Sequence, residues 1–321
     1  MAVARLLDRN GHEVMLWEFD HSAFEIVRTR RTHPDKLPGL HLPDSVTVTN
    51  SLSDTTRHAQ VLVLAVPAQS LRSSLRQVTV PMDKIAAVVN LAKGVENGTL
   101  KRMSEILLAE TGLPPARVVT VSGPSHAEEV IQDIPTAVVA AGASEQTVTV
   151  VQEVFSSGRF RVYNSDDIIG VELGGSLKNI IAIAAGIADG LGLGDNTKGA
   201  LLTRGLAEIT RLGIAKGARA ETFAGLSGVG DLMTTCFSRH SRNRSVGERI
   251  GRGEKLDDIL RSMKMVAEGV ATCRSGWELS GRDEVEMPIT AEVYRVLFEQ
   301  KSPIAALDHL MGRTLKAEIW Q

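Results

Sequence analysis

Short β-rich runs alternate with helical stretches as far as residue 163, and beyond it the chain is helical almost without exception. Runs at 12–17, 46–49, 60–66, 86–91, 118–121, 136–140 and 159–163 read as strands from their Val, Ile and Leu content and their flanking turn residues. Strands interleaved with helices predict a parallel sheet with helices on its faces. The run Val61-Leu62-Val63-Leu64-Ala65-Val66 is apolar throughout, as a central strand buried on both sides should be, and Pro67 ends it. Loop chemistry then begins at the carboxyl end of that strand, the edge where open α/β sheets bind ligands. Helical periodicity runs through 170–188, 197–216, 243–251, 256–263 and 288–299, with Gly-rich turns, Pro288 and Pro303 between. The fold class expected is an α/β unit over 1–168 followed by an all-α unit over 169–321.

Composition suits that division. A chain of 321 residues with 43% hydrophobic content fills two cores, and a net charge of -2 gives no reason to expect nucleic acid or an anionic membrane as partner. Cys236 and Cys273 have neither metal-ligand spacing nor a disulfide framework, so they read as reduced thiols of a cytoplasmic protein without a metal site. No N-terminal signal is visible. The longest apolar run, 180–188, contains Gly186, stops at Asp189 and is too short to span a bilayer.

Lys178 is the only charged side chain between Glu172 and Asp189. It either snorkels to water or is held in a dry site. Gly174 and Gly175 lie one turn earlier on the same helical face and let another segment approach the backbone, and Asn179 adds a polar neighbour. A desolvated lysine exchanges protons near neutral pH, which makes Lys178 a candidate acid/base.

Other polar clusters fall at element boundaries. Lys93 follows a strand in Leu91-Ala92-Lys93-Gly94 and stands on the ligand edge. Ser122-Gly123-Pro124-Ser125-His126-Ala127-Glu128-Glu129 follows the next strand, where its amides and the Ser125 hydroxyl face either a ligand or a turn; Ser125 and Glu128 have capping-box spacing. His126 has no carboxylate partner in the sequence and fits packing better than general-base work. Asp231, introduced by Gly228 and Gly230, reads as a cap or a site carboxylate. Ser241, Arg242 and Asn243 place a hydroxyl, a guanidinium and an amide at a helix start, the make-up of a phosphate cradle or of a basic surface patch.

These segments, with Arg9 to Val14, Phe160 to Tyr163, Ile169 to Asn179, Leu202 to Glu208, Gly228 to Leu232, Val266 to Gly269 and Met287 to Thr290, occur in family order over nearly the whole chain. In them the sequence resembles the bacterial-type NAD(P)-dependent glycerol-3-phosphate dehydrogenases. The resemblance implies a Rossmann-like dinucleotide-binding domain and a helical substrate domain. It also implies interconversion of sn-glycerol 3-phosphate and dihydroxyacetone phosphate by hydride transfer, supplying glycerol phosphate for phospholipid synthesis. It assigns Lys178 the proton exchanged with the C2 oxygen, and Lys93 a contact with both substrate and cofactor. Gly123, Ser125, Asn179 and Asp231 match substrate-binding positions. Ser241, Arg242 and Asn243 match the phosphate site, while Ala127, Arg242, Val266 and Glu268 match cofactor contacts. The family often forms homodimers. Related hydroxyacid dehydrogenases share the Gly-Gly-x-x-Lys-Asn core, but Ser122-Gly123-Pro124 and Ser241-Arg242-Asn243 favour the glycerol phosphate enzymes.

Two departures from the family pattern stand out. Met1 aligns just past the third glycine of the Gly-x-Gly-x-x-Gly fingerprint, residues 2–9 read as the helix that turn opens, and Asn10-Gly11 ends it. As written, the chain lacks the first strand and the phosphate loop. A start placed too far downstream implies a longer, active protein; a real truncation implies a gap in the sheet, weak NAD(P) binding and a non-catalytic metabolite-binding remnant. The second departure is Glu18-Phe19-Asp20 after the strand ending at Trp17, where many relatives have a small residue followed by a basic one. A carboxylate there accepts hydrogen bonds from ribose hydroxyls and repels a 2′-phosphate, so NAD is expected over NADP, with Glu18 and Phe19 as cofactor contacts.

Overall fold

The computed structural model describes residues 1–315, 317 and 318. Its first part contains β1 (Met15–Trp17), β2 (Thr47–Thr49), β3 (Val61–Leu64), β4 (Ala87–Asn90), β5 (Val118–Ser122), β6 (Thr136–Gly142) and β7 (Phe160–Ser165). All seven expected strands form. Interleaved with them are α1 (Ala2–Arg9), α2 (His21–Arg30), α3 (Leu52–His58), α4 (Leu71–Leu75), α5 (Met103–Thr111), α6 (Ala127–Val130) and α7 (Glu145–Phe155). The helical part contains α8 (Ile168–Gly190), α9 (Asp195–Ala215), α10 (Ala220–Phe223), α11 (Asp231–Phe237), α12 (Arg242–Gly251), α13 (Leu256–Ser262), α14 (Glu268–Arg282), α15 (Pro288–Phe298) and α16 (Pro303–Met311).

The strands form two sheets. β1 pairs with β2, and β3 to β7 form a five-stranded sheet in sequence order. Among the described residues no strand is hydrogen-bonded between β1 and β3. This corrects the reading of the 61–66 run as a central strand buried on both sides: β3 is an edge strand, with Leu62 and Leu64 buried but Val61 and Val63 only half-buried. Helix α1 spans the two sheets, with Ala2, Leu6 and Leu7 in the core of the larger one and Ala4 packed with Val27, Leu42 and Val46 beside the smaller. Asn10 caps it, and Gly11 turns the chain at φ +86°.

The sheet is not wholly parallel either. β5 and β6 run antiparallel, while β3, β4 and β5 run parallel, as do β6 and β7. The connection between β5 and β6, residues 123–135, carries only the single-turn helix α6. The Ser125/Glu128 capping box does not form. His126 occupies the cap position of α6, and the Ser125 hydroxyl instead donates to the Gly123 carbonyl at 3.0 Å.

Helix α8 organises the second part. By length and composition it could cross a bilayer, although the 180–188 run alone could not, but 83% of its apolar window is buried inside the protein. It is the core helix of a bundle, surrounded by α9, α11, α12 and α14. Glycines set the approach of α12: a Cβ on Gly247 would lie 2.0 Å from the Ile183 carbonyl oxygen, and one on Gly186 would lie 2.0 Å from that of Arg244. Gly247→Ala should therefore force the two backbones apart and cost about 1–3 kcal/mol, in the range of overpacked cores. Thermal unfolding measures this, and an unchanged melting temperature would contradict the close-packed geometry.

Candidate active site

The junction between the sheet and α8 brings the expected polar residues together. Lys93 leaves the carboxyl end of β4, and Gly123 and Ser125 follow β5. Gly174 and Gly175 make the contact possible. A Cβ on Gly175 would sit 2.3 Å from the Ser122 hydroxyl oxygen, and one on Gly174 would sit 2.6 Å from the Ser227 carbonyl oxygen. The first glycine admits the turn Leu226–Gly230 that introduces Asp231, and the second admits the strand end beside Lys93. That turn is sharply kinked at Gly228 (φ -96°, ψ -107°), where a Cβ would meet the Phe223 backbone.

Lys178 does not snorkel. It is 5% exposed, and its ammonium donates to Asp231 Oδ1 and, at 2.5 Å, to the Thr235 hydroxyl. Lys93 Nζ donates to the other Asp231 oxygen at 2.7 Å and to the Gly123 carbonyl at 2.9 Å. One buried carboxylate thus holds two ammoniums, and the cluster keeps an excess positive charge. Burial drives the Lys178 pKa down from 10.5 to about 8, with Asp231 opposing the fall. Burial by itself would raise the Asp231 carboxyl, but the two lysines hold it below its ordinary value. Asp231 is the first residue of α11 rather than its cap, which frees its side chain for this work.

Thr235 is the residue that sequence reasoning missed. It lies four positions after Asp231 on the same face of α11, a spacing that the helical repeat makes visible once Asp231 is assigned. Glu172 was missed as well. Fewer than two turns before Lys178, it accepts bonds from the Ser104 amide (2.8 Å), the Ser104 hydroxyl (2.7 Å), Arg102 (2.6 Å) and the Thr120 hydroxyl (3.1 Å). It ties α8 to α5 and β5 and so fixes the register of Lys178 against the sheet.

The Asn179 side chain makes its bonds away from Lys178, as consecutive helical residues point about 100° apart. Its carbonyl oxygen accepts from Asn243 Nδ2 at 2.9 Å, and Asn243 Oδ1 accepts from the Gly269 amide at 2.9 Å. Ser241 caps α12 through the Arg244 amide at 3.2 Å. The Ser241 and Asn243 side chains are therefore already engaged within the protein. What the start of α12 offers a ligand is its backbone N–H groups, which lack intrahelical acceptors, together with the exposed Arg242, whose guanidinium donates to the Val266 carbonyl at 2.8 Å.

The remaining candidates line the sheet edge. Glu268 Oε1 accepts from the Ala68 amide at 3.0 Å, while Oε2 is enclosed without a partner. Burial raises the Glu268 pKa, against the pull of the Ala68 amide and Arg242. A Cβ on Gly94 would fall 2.5 Å from Ala68 Cβ and 3.9 Å from Glu268 Oε2, so the loops after β3 and β4 close on this carboxylate. An enclosed acceptor without a donor suits the amide N–H groups of a nicotinamide. Ala127 opens α6 on the same side of the sheet. Glu18 and Phe19 are apart from this cluster, at the carboxyl end of β1 in the smaller sheet. Glu18 is half-buried 3.8 Å from His33, and Phe19 is 75% exposed with its ring edge-on to Trp17. A recessed carboxylate beside a free aromatic face suits a ribose and an adenine, so the residues present fit a dinucleotide. No Gly-x-Gly-x-x-Gly turn occurs among the described residues. No group of His, Cys, Asp and Glu able to hold a metal ion occurs among them.

A buried lysine poised by a carboxylate, between a nucleotide-type sheet edge and a helical domain, defines a two-domain nicotinamide-dependent dehydrogenase. Residues 1–148 and 167–308 match the models of the NAD-dependent glycerol-3-phosphate dehydrogenase N-terminus and C-terminus. The chain is 49% identical to glycerol-3-phosphate dehydrogenase (NAD(P)+) of Thermoanaerobacter sp. (strain X514), over 99% of this chain and 95% of that one. The crystal structure of glycerol-3-phosphate dehydrogenase from Coxiella burnetii superposes with a TM-score of 0.91 at 34% identity, covering 97% of this chain and 95% of that one. The chain belongs to the NAD-dependent glycerol-3-phosphate dehydrogenase family. A D-mandelate dehydrogenase superposes over 95% of each chain with a TM-score of 0.60 at 10% identity and shares the fold alone.

Proposed function

We propose that Lys178 exchanges the proton with the C2 oxygen in the reaction of this family, the interconversion of sn-glycerol 3-phosphate and dihydroxyacetone phosphate with NAD(P). The observation that carries the assignment is the double anchoring of a buried ammonium by Asp231 and Thr235. An ammonium has three donors, and two are used, so one N–H remains for a substrate oxygen. With its pKa at about 8, Lys178 is mostly protonated at neutral pH and surrenders its proton readily once negative charge develops on that oxygen. When bound, the nicotinamide supplies or accepts the hydride at C2. Lys93 is likewise left with a free donor, and the surplus positive charge of the Lys93–Asp231–Lys178 cluster draws in the substrate dianion. Gly123, Ser125 and Asn179 shape the substrate site. Arg242 and the amides at the start of α12 hold the phosphate, with Ser241 and Asn243 acting through the helix start that they fix. Fixing the phosphate end orients C2 before reaction, a large share of the rate advantage in such sites.

In this reading residues 1–168 bind the dinucleotide and 169–321 carry the catalytic lysine and most of the substrate site. Ala127, Val266, Glu268, Lys93 and Arg242 contact the cofactor near its reactive end, and Glu18 and Phe19 hold its adenosine end. The carboxylate of Glu18 sets a preference for NADH. With dihydroxyacetone phosphate as substrate, kcat/KM is expected to favour NADH over NADPH by about tenfold or more, and Glu18→Ser should narrow the ratio, since an unpaired like-charge contact costs on the order of a kcal/mol or more. Equal efficiencies with the two nucleotides would remove the assignment. A cytoplasmic homodimer that supplies glycerol phosphate for phospholipid synthesis completes the proposal.

A further inference from the structure

His126 faces the site without belonging to any bond in it. Its backbone occupies the cap position of α6, yet its side chain makes no capping bond, and Nε2 is enclosed without a hydrogen-bond partner. The ring lies 6.2 Å from that of His240, tilted by 53°. His240 directly precedes Ser241, the cap of α12, so the imidazole stands beside the helix start that offers free amides. The charged groups around it are Lys178 and Lys93, with Asp231 and Glu128 as the opposing carboxylates. Burial, reinforced by Lys178, lowers its pKa and so favours the neutral ring.

A neutral imidazole has one N–H and one lone pair. An enclosed ring nitrogen without a partner is destabilising, and such groups in native proteins normally find one. Neither lysine ammonium donates to Nε2: the bonds of Lys93 go to Asp231 and Gly123, and those of Lys178 to Asp231 and Thr235. The partner that fits a donor set between two lysines and a helix start is an anionic oxygen. We propose that His126 is a substrate-binding residue that donates its Nε2–H to the phosphate of the phosphorylated triose, beside the start of α12. The proposal rests on the placement of the substrate given above. It adds a neutral donor to a site otherwise built from a guanidinium and backbone amides, so it contributes recognition without raising the charge around Lys178.

The test compares His126→Phe and His126→Asn with the unchanged protein, using dihydroxyacetone phosphate, unphosphorylated dihydroxyacetone, and inorganic phosphate as a competitive inhibitor. For His126→Phe the KM for dihydroxyacetone phosphate is expected to rise about ten- to hundredfold, the range of a lost hydrogen bond to a charged group, with kcat nearly unchanged. Inhibition by inorganic phosphate should weaken in parallel, and His126→Asn should recover part of both. Efficiency with dihydroxyacetone, which has no phosphate, should match the unchanged protein within about threefold. An unchanged KM, or an equal loss with both ketones, would overturn the proposal and leave His126 as a packing group. Should His126→Phe melt early, the Asn variant carries the comparison by itself. Failure of the underlying active-site reading looks different, because a Lys178 variant would then retain turnover with both ketones.

Discussion

Lys178→Met is expected to lower kcat for dihydroxyacetone phosphate reduction by about 10²- to 10⁴-fold, the usual contribution of a positioned acid. The KM for substrate should change far less, because Lys93, Arg242 and the start of α12 remain. Methionine fits the buried channel of the lysine stem without leaving Asp231 bare, since Lys93 still donates to Oδ2 at 2.7 Å. The loss should therefore appear in kcat and not in stability. The pH profile supplies a second reading. Reduction needs the ammonium and should decline as pH rises through about 8, whereas oxidation of glycerol 3-phosphate needs the free amine and should rise through the same value. Both limbs should vanish in Lys178→Met.

Asp231→Asn should produce the second large effect, by another route. The carboxylate is 2% exposed and compensates two ammoniums at once. Without its charge Lys178 and Lys93 repel each other in a dry site, and the Lys178 pKa must fall further below about 8, because Asp231 is the largest influence holding it up. At neutral pH the variant would carry less of the protonated lysine than the unchanged protein. A fall in kcat of roughly 10²-fold or more is expected for reduction, with its alkaline limb displaced to lower pH. Because Asp231 has its own pKa lowered in the folded protein, it contributes stability above its unfolded pKa, which is lost as pH drops through the folded value. The asparagine variant should accordingly show a weaker acid-side loss of stability in melts as a function of pH. Retained kcat with an unmoved limb would mean that the carboxylate does not govern the lysine.

The strands were legible because their β-branched runs are bounded by turn residues, and the direction of β6 was not, because periodicity carries no polarity. Helix α14 escaped the periodicity reading for a compositional reason. Its core face is Gly269, Thr272, Cys273, Ser275, Gly276, Leu279 and Ser280, mostly small residues that let it lie close to α8 but give little apolar stripe. In the site, Lys178 stood out as a lone charge in an apolar helix. Its partners were less visible, since Asp231 and Thr235 lie more than fifty residues away and only the fold brings them within bonding distance. The Asn179–Asn243–Gly269 chain had no sequence signal beyond three polar or small residues at helix starts and in α8.

The central claim is that burial and Asp231 together tune the Lys178 ammonium. Direct titration of protein labelled with ¹³C at lysine Cε, assigned with the Lys178→Met variant, tests it. The account predicts one lysine signal titrating near 8 instead of 10.5, and moving to lower pH in Asp231→Asn. A Lys178 signal that titrates with the surface lysines, and does not respond to loss of the carboxylate, would contradict it.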